Sequence, residues 1–254
     1  MKKPISRIHR NFLAYMFVLF ATLGFAPQAL SAAFIGSADL NGDGIPENIY
    51  SNGSYILVKN INGVVTGNYY IAPSWYSVAI ADLDGVAGAE FAVRTYSDLY
   101  VLTHRTKKVF AYAVWPYGSN WVPMTVDQFD GVAGNEIAIN TGSIAGGYGS
   151  ILFISHKAHA IKQHFFSTGY AWLGMSVNDF DGAAGKEYAI NTTSIGYLAV
   201  LHPKSLVPRY YYVGPNMQFL SAVNLDGVAG LEIRVRGYGG LVYKINDRKG
   251  TMTY

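Results

Sequence analysis

The nine residues Asp82-Leu-Asp-Gly-Val-Ala-Gly-Ala-Glu90 form one copy of a motif that occurs five times in the chain. The other copies start at Asp39, Gln128, Asp179 and Asn224, and each of them ends on a glutamate. The third position of the motif falls at residues 41, 84, 130, 181 and 226, so the intervals are 43, 46, 51 and 45 residues. A repeat of about 40 to 50 residues is typical of propellers and solenoids.

Short apolar and aromatic runs separate the copies. After the second copy come runs at 91–94, 99–102 and 109–112, and a fourth run at 121–126 leads into the next copy. No helical periodicity is seen after residue 33, so each repeat is predicted to be one antiparallel sheet of four consecutive strands. Such a sheet buries both faces only by stacking on its neighbours around an axis. The sequence therefore predicts an all-β, five-bladed β-propeller. A larger ring built from two chains is the alternative.

The first 33 residues are predicted to be a signal peptide, followed by a single propeller domain at 34–254. Four basic residues precede an apolar stretch at 12–26, and small residues at 29–33 suit cleavage near 31–33. The alternative is an uncleaved anchor, but Pro27 ends the apolar run before the roughly 20 residues that a bilayer span needs. We therefore expect a secreted protein, periplasmic or extracellular, with no membrane span after leader cleavage.

The composition excludes several classes of function. The 254 residues contain no cysteine, which excludes disulfides and thiolate metal sites. The formal charge of +3 comes from the leader, because Lys2, Lys3, Arg7 and Arg10 are followed by no acidic residue before Asp39. The rest of the chain is almost neutral, so the basic surface expected of a nucleic-acid-binding protein is absent.

The acidic loops are candidate calcium sites, since Ca²⁺ prefers six to eight oxygen ligands and a tight glycine-containing loop can supply them. The predicted ligands in the first loop are Asp39, Asn41, Asp43, the carbonyl of Ile45, and Glu47. Weaker sites are predicted at Asp82, Asp84 and Glu90 and at Asp179, Asp181 and Glu187, because the fifth position there is Val86 or Ala183. The alternative for loops 2 to 5 is a metal-free turn, in which Asp84 and its equivalents accept backbone N–H bonds.

The loop Asp-x-Asp-Gly-x-x-x-x-Glu, repeated inside predicted four-stranded blades, resembles the FG-GAP or VCBS repeat of integrin α-chain propellers and their bacterial relatives. The resemblance covers roughly residues 34 to 254. The Phe-Gly and Gly-Ala-Pro signatures are not evident, and the fifth loop position is acidic only at Asp43. The resemblance implies a propeller with calcium in the loop between the first and second strands. It implies no single activity, because a fold does not fix a function.

The distribution of carboxylates argues against a hydrolase. Once the acidic loops and Asp127 directly beside the third loop are set aside, only Asp98 and Asp247 remain, which leaves no pair for glycoside hydrolysis. The histidines lie at or near basic turns without a recurrent serine and acid, although a triad assembled by folding stays possible. We expect His156, His159 and His164 to lie in a solvated hairpin, with adventitious binding of a transition metal as the alternative.

Strand direction predicts two different faces. The acidic loops and the turns between third and fourth strands, which are rich in lysine and arginine, share what we call the lower face. The turns between second and third strands and the connections between blades share the upper face, which has almost no charge apart from Asp98 and gathers all four tryptophans. Aromatic rings beside amides and hydroxyls suit a neutral sugar. The predicted ligand-binding residues are Trp115, Tyr117, Asn120 and Tyr170.

Four further upper-face residues recur at one register, nine residues before the third loop position. They are Trp75, Trp121, Trp172 and Met217. A recurrent register favours packing between blades, and ligand contact is the alternative. The sequence thus favours a non-enzymatic binding module that recognises carbohydrate. The alternative is a protein-interaction or adhesion scaffold, and a secreted hydrolase is the third hypothesis. The expected partner is a glycan or a protein ligand outside the cytoplasm.

Overall fold

A computed structural model describes residues 32–114, 124–144, 148–167, 172–192, 196–205 and 207–254. Within the strands it describes only the backbone of residues 140–144, 148–149, 164–167, 172–175 and 192. The predicted signal peptide therefore lies outside the described residues, apart from its last two positions. Among the described residues, no helix has the length and apolar character needed to cross a bilayer.

In the described residues, twenty strands form five antiparallel sheets of four consecutive strands each. Blade 1 contains β1 (Ala33–Ala38), β2 (Glu47–Asn52), β3 (Tyr55–Lys59) and β4 (Val65–Tyr70). Blade 2 contains β5 (Ser77–Ala81), β6 (Glu90–Arg94), β7 (Asp98–Thr103) and β8 (Lys108–Ala113). Blade 3 contains β9 (Met124–Asp127), β10 (Glu136–Ile144), β11 (Tyr148–Ser155) and β12 (Ala160–Ser167). Blade 4 contains β13 (Trp172–Asn178), β14 (Glu187–Thr192), β15 (Tyr197–Leu201) and β16 (Arg209–Tyr212). Blade 5 contains β17 (Gln218–Val223), β18 (Glu232–Arg236), β19 (Val242–Asn246) and β20 (Thr251–Thr253).

The prediction of a five-bladed all-β propeller is confirmed. The helix in the described residues is a single 3₁₀ turn at Tyr238–Gly240. Each acidic loop joins the first and second strands of its blade, as the repeat predicted. All five residues of β6 are buried, because this strand has a neighbouring blade on each face of its sheet.

Four hydrophobic cores join consecutive blades. The first packs Ile49 and Val58 of blade 1 against Phe91 and Val93 of blade 2. The equivalent cores join blades 2 and 3, blades 3 and 4, and blades 4 and 5. Each core therefore belongs to a boundary between blades, so that a blade is stable only through its neighbours.

The boundary between blades 5 and 1 differs from the other four. The second loop position is Leu40, Leu83, Phe129 or Phe180 in blades 1 to 4, at most 1% exposed, whereas Leu225 of blade 5 is 48% exposed. A Cβ added to the fourth-position glycine would lie 2.5–2.7 Å from an alanine carbonyl oxygen of the next loop in blades 1 to 4. At Gly227 of blade 5 it would meet no atom within 4 Å. The described residues thus form a ring that is open between blades 5 and 1.

The sequence of the first loop accounts for this open boundary. In loops 2, 3 and 5 the eighth-position N–H donates to the first-position carbonyl of an earlier loop, as Ala89 does to Asp39 at 2.7 Å. Loop 1 has Pro46 at this position, and proline has no N–H to donate. Its seventh position is Ile45, where the other loops have a glycine that lies against the backbone of the preceding loop. Loop 1 therefore lacks both features by which a loop docks on its predecessor.

Candidate functional site

The five acidic loops share one hydrogen-bond pattern. In loop 2 the N–H of Leu83 donates to Glu90 Oε2 at 2.9 Å, and the same bond in the other loops is 2.7–2.8 Å long. The N–H of Val86 donates to Asp84 Oδ1 at 2.9 Å, with the same bond in loops 3, 4 and 5. Gly85 and Gly88 have φ of 75° and 106°. The Asx turns and left-handed glycines predicted for these loops are confirmed.

The carboxylates of loop 1 accept hydrogen bonds from the backbone of the loop and from one side-chain amide. Asp39 accepts the N–H groups of Gly42 and Gly44 at 2.7 and 2.8 Å, and these bonds lower its pKa despite an opposing effect of desolvation. Asn41 Nδ2 donates to Asp43 Oδ2 and to Glu47 Oε1, both at 3.0 Å. The amide therefore lies between two carboxylates. Asn41 Oδ1 accepts the N–H of Asp43 at 2.8 Å. A rotation that gives up this bond would present three side-chain oxygens, one each from Asn41, Asp43 and Glu47.

The remaining predicted calcium ligand, the Ile45 carbonyl, belongs to a residue that lines a cavity of about 470 Å³ beside loop 1. Asn41, Asp43 and Glu47 line the same cavity. Lys107 from blade 2 also contributes to it, but its Nζ donates to the Thr66 carbonyl at 2.8 Å.

In loops 2 to 5 a lysine or arginine of the turn between third and fourth strands binds the sixth-position carbonyl. The bonds are Arg105 to Ala87 at 2.7 Å, Lys157 to Ala133 at 3.0 Å, Lys204 to Ala184 at 2.5 Å and Arg248 to Ala229 at 3.2 Å. The corresponding turn of blade 1 is Asn60-Ile-Asn-Gly63 and carries no cation. Loop 1, which has the most oxygen ligands, is thus the loop whose own turn supplies no positive charge.

Loop 2 brings together its three predicted ligands around an arginine. Atoms of Asp82, Asp84 and Glu90 lie within 4.8 Å of one another. Arg105 Nη2 contacts Asp84 Oδ2 at 2.9 Å, and its Nη1 lies 3.8 Å from Glu90 Oε1. Burial raises the pKa of Glu90 to about 7, and the charge of Asp84 adds to this shift while Arg105 opposes it. The guanidinium thus supplies a positive charge to this cluster of carboxylates.

In loop 4 the cluster includes a histidine that the sequence analysis did not select. Asp181 and Glu187 have ligand atoms within 4.8 Å of His202, whereas the predicted ligand Asp179 is not part of this group. His202 follows β15 and is 8% exposed. Burial by itself lowers the pKa of His202. The contact with Asp247 and the negative charges of Asp247 and Glu187 have a larger, opposite effect, so the pKa lies above its ordinary value. Burial raises the pKa of Glu187 to about 7. The spacing of residues in the sequence did not indicate this group, because His202 comes from the turn after β15 and not from loop 4.

Tyrosines of the fourth strands join neighbouring blades to buried groups on the lower face. Tyr69 Oη lies 2.6 Å from His104 Nδ1, Tyr112 Oη lies 2.8 Å from His156 Nδ1, and Tyr211 donates to Asp247 Oδ1 at 2.7 Å. These three tyrosines are 7–8% exposed. In blade 5, extending the pairing of β19 and β20 by one residue places Tyr254 opposite Tyr243. Unlike the three buried tyrosines, Tyr254 is 87% exposed.

The expectation of a solvated hairpin is wrong for His156, which is 3% exposed. Phe110 packs edge-on against its ring, and Tyr112 of the preceding blade covers Nδ1. His159 is exposed as expected, and the side chain of His164 lies outside the described residues. The burial of His156 is hard to predict from the sequence, because Tyr112, which covers it, comes from another blade. The one signal in the sequence is that Tyr69, Tyr112 and Tyr211 occupy the same position in their strands.

On the upper face, the predicted ligand-binding residues Trp115, Tyr117, Asn120 and Tyr170 lie outside the described residues. Trp121 and the side chain of Trp172 do so as well. Trp75 packs against the core between blades 1 and 2, and Met217 is buried in the core between blades 4 and 5. The packing interpretation is therefore confirmed for these two residues.

The described part of the upper face contains an aromatic pocket between blades 4 and 5. Its volume is about 400 Å³, and no charged residue lines it. The lining residues are Tyr212, Val213, Gly214, Pro215, Tyr238, Leu241 and Tyr243. The N–H of Tyr238 donates to the Val213 carbonyl at 3.2 Å, which ties together the two segments that form the rim.

Two arginines make the upper face less neutral than the sequence analysis expected. Arg94 and Arg236 end β6 and β18, the second strands of blades 2 and 5, on this side of the propeller. Arg94 is buried, and burial lowers its pKa while Tyr76 opposes that shift. Arg236 is exposed. Neither side chain lines the aromatic pocket.

The fold and its lower face together define a five-bladed β-propeller with a repeated acidic loop. The sequence matches no protein-family profile and no curated protein. Among solved structures it is similar to BBS1N in complex with ARL6DN, at 13% identity and a TM-score of 0.47, over 91% of this chain and 69% of that one. It is also similar to the extracellular domain of BT4673 from B. thetaiotaomicron, at 13% identity and a TM-score of 0.46.

That second match covers 87% of this chain and 27% of the BT4673 chain, so the protein spans about a quarter of its length. A third match is the V. cholerae biofilm matrix protein Bap1, at 16% identity and a TM-score of 0.27, over 87% of this chain and 49% of that one. At these identities the similarity concerns the fold alone.

Proposed function

We propose that the protein is a secreted, non-enzymatic binding module built from FG-GAP or VCBS-type repeats, and that its upper face binds a neutral carbohydrate. The observation that carries this proposal is the uncharged aromatic pocket between blades 4 and 5. Tyr212 and Tyr238, which line it, are 57% and 72% exposed. Exposed rings of this kind stack on the C–H face of a sugar, and their hydroxyls bind the sugar hydroxyls.

The absence of charge in this pocket favours a neutral polyol over an anionic ligand. A ligand that forms few ion pairs binds with little dependence on ionic strength. The sequence also predicts Trp115 and Tyr117 on this upper face, in the connection between blades 2 and 3.

A glycan array at low and high salt, followed by titration of the best ligand, tests the proposal. We expect Tyr238→Ala to weaken binding by about 1 to 3 kcal/mol without loss of fold, as expected for an aromatic anchor. Trp115→Ala and Tyr117→Ala test the other connection in the same way. Tyr70→Ala is the matched control, because Tyr70 is an exposed tyrosine on the outer strand of blade 1. A blank array, or equal binding by all variants, would reject the carbohydrate proposal.

The second candidate is a protein-interaction scaffold, and the open boundary between blades 5 and 1 favours it. Leu225 is exposed there, although its equivalents in blades 1 to 4 are buried. Tyr254 is exposed as well, although the corresponding Tyr69, Tyr112 and Tyr211 are buried. Exposed apolar surface of this kind is typical of protein interfaces. A blank glycan array with a folded protein would favour this candidate.

We also propose that calcium binds to loop 1 through Asp39, Asn41, Asp43, the Ile45 carbonyl and Glu47. The proposal is supported by the missing cation in the turn beside loop 1 and by the amide that lies between Asp43 and Glu47. In loops 2 to 5 a lysine or arginine already neutralises part of the loop, so weaker calcium binding is proposed at Asp82, Asp84 and Glu90.

A further inference from the structure

His202 is oriented by a buried aspartate from the neighbouring blade. Asp247 is fully buried, and its Oδ2 lies 2.8 Å from His202 Nε2. Tyr211 donates to Asp247 Oδ1 at 2.7 Å, and Arg209 Nη1 lies 3.6 Å from Oδ2. A carboxylate held in this way only accepts, so the nitrogen that faces it carries the imidazole proton. The proton of a neutral His202 is therefore on Nε2.

The other ring nitrogen then presents a lone pair to two carboxylates. His202 Nδ1 lies 3.5 Å from Asp181 Oδ2, and an oxygen of Glu187 belongs to the same group of atoms within 4.8 Å. Glu187 and His202 are both more than nine-tenths buried. With His202 neutral, three acceptors converge at this partly buried site and repel one another. The repulsion is relieved either by a proton on Nδ1, which the raised pKa of His202 favours, or by a cation between the three groups.

Loop 2 shows what removes this repulsion elsewhere in the protein. There, Arg105 contacts Asp84 at 2.9 Å and approaches Glu90 at 3.8 Å. The blade 4 residue that, like Arg105, binds the sixth-position carbonyl of its loop is Lys204, whose Nζ donates to the Ala184 carbonyl at 2.5 Å. The ion pair that Arg105 forms with Asp84 has no counterpart between Lys204 and Asp181 in the described residues.

We infer that Asp181, Glu187 and His202 bind a divalent transition-metal ion such as Zn²⁺. One imidazole nitrogen and two carboxylates are common zinc ligands, whereas Ca²⁺ prefers oxygen ligands alone. Asp247 supplies the carboxylate that commonly orients a metal-binding histidine through its other nitrogen. A cavity of about 280 Å³ adjoins the three ligands and leaves room for a water or an exogenous ligand. Its lining also includes Phe129, Ser205 and two cationic residues, Lys204 and Arg209.

Calorimetric titration of the metal-free full chain with Zn²⁺ tests this site, together with Co²⁺ absorption spectra, which report a nitrogen ligand. We expect one zinc site, with affinity at least tenfold weaker in His202→Gln and in Asp181→Asn. Asp247→Asn should weaken zinc binding by about 10- to 100-fold, because it removes the orienting carboxylate. Asp84→Asn is the matched control in loop 2 and should leave zinc affinity unchanged.

Asp181 is partly exposed, so Asp181→Asn is expected to fold even if His202→Gln does not. Absence of zinc binding by the native chain would overturn the inference and identify His202 as an imidazolium between Asp181 and Asp247. Displacement of zinc by millimolar Ca²⁺, with binding retained in His202→Gln, would overturn it in favour of an oxygen-only calcium site. Asp43→Ala, in the proposed calcium loop, should not change zinc affinity.

Discussion

The hydroxyl of Tyr112 lies 2.8 Å from Nδ1 of His156, across the boundary between blades 2 and 3. Burial lowers the pKa of His156 to about 4 and raises the pKa of Tyr112 above its ordinary value. The neutral imidazole therefore accepts from the phenol. Tyr69 and His104 form the same pair between blades 1 and 2.

Removal of the phenol should destabilise the propeller at one boundary. Tyr112→Phe keeps the ring and leaves His156 Nδ1 buried without this donor, which should cost about 1 to 3 kcal/mol in the free energy of unfolding. Urea denaturation of the native chain and the variant measures the difference. Tyr210→Phe is the control, because Tyr210 is exposed. Equal losses in both variants would contradict a specific role for the buried pair.

The same histidines predict a loss of stability at acidic pH. Burial lowers the pKa of His104 to about 4, with a further effect of Lys107, while an unfolded histidine titrates near 6.5. The unfolded state thus binds more protons between these values, so stability falls as the pH drops from about 6.5 to about 4. The loss should be about 2 to 3 kcal/mol for each of His104 and His156.

Glu90 and Glu187 act in the opposite direction, because burial raises the pKa of each to about 7. Their contribution to stability is largest at low pH and is lost as the pH rises towards 7. The test is therefore the difference between the native chain and the His104→Gln/His156→Gln variant across this range. Parallel stability curves for the two proteins would show that these histidines do not titrate as inferred.

The open boundary predicts unequal effects of equivalent leucines. Leu83→Ala removes a side chain that is 1% exposed in the core between blades 2 and 3, and should cost about 2 to 5 kcal/mol. Leu225→Ala changes the equivalent position of blade 5, which is 48% exposed, and should cost less than about 1 kcal/mol. Chemical denaturation compares the two variants. Equal losses would mean that blade 5 packs against blade 1 in solution.

Calcium should stabilise the protein mainly through loop 1. A ligand present at 100 times its Kd adds about 2.7 kcal/mol to stability, which a melting curve in calcium or in chelator detects. Asp43→Ala should remove most of this gain. Ile61→Arg should reduce it as well, because it places in blade 1 the charge that Arg105 supplies in blade 2. An identical melting temperature in calcium and in chelator would reject a metal in loop 1.

Loss of the arginine from loop 2 should create a calcium response there. Arg105→Ala removes the cation that contacts Asp84 and approaches Glu90. Asp82, Asp84 and Glu90 would then be free to bind a metal, so the variant should be destabilised in chelator and should regain stability in calcium. Lys108→Ala, at the exposed first residue of β8, is the control. An Arg105→Ala variant that responds no more to calcium than the native chain would argue against a metal-binding role for loop 2.

The sequence by itself determined the fold and the local geometry of the loops. The five copies of the Asp-Gly motif fixed the number of blades, and the strand runs fixed four consecutive strands per blade. These features are local: an Asx turn such as that of Asp84, or the glutamate bond to Leu83, joins residues at most seven apart. Local hydrogen bonds and hydrophobic periodicity can be read from one stretch of chain.

Contacts between residues far apart in the sequence were decided by the tertiary structure. Burial of His156 beneath Tyr112, the contact of Asp247 with His202, and the ion pair of Arg105 with Asp84 join residues 21 to 45 positions apart. No local pattern specifies such a contact, because it depends on how one sheet stacks on the next and which turn reaches which loop. The open boundary lies between these cases: Pro46 is visible in the sequence, but its consequence follows only from the N–H that loops 2, 3 and 5 donate at that position.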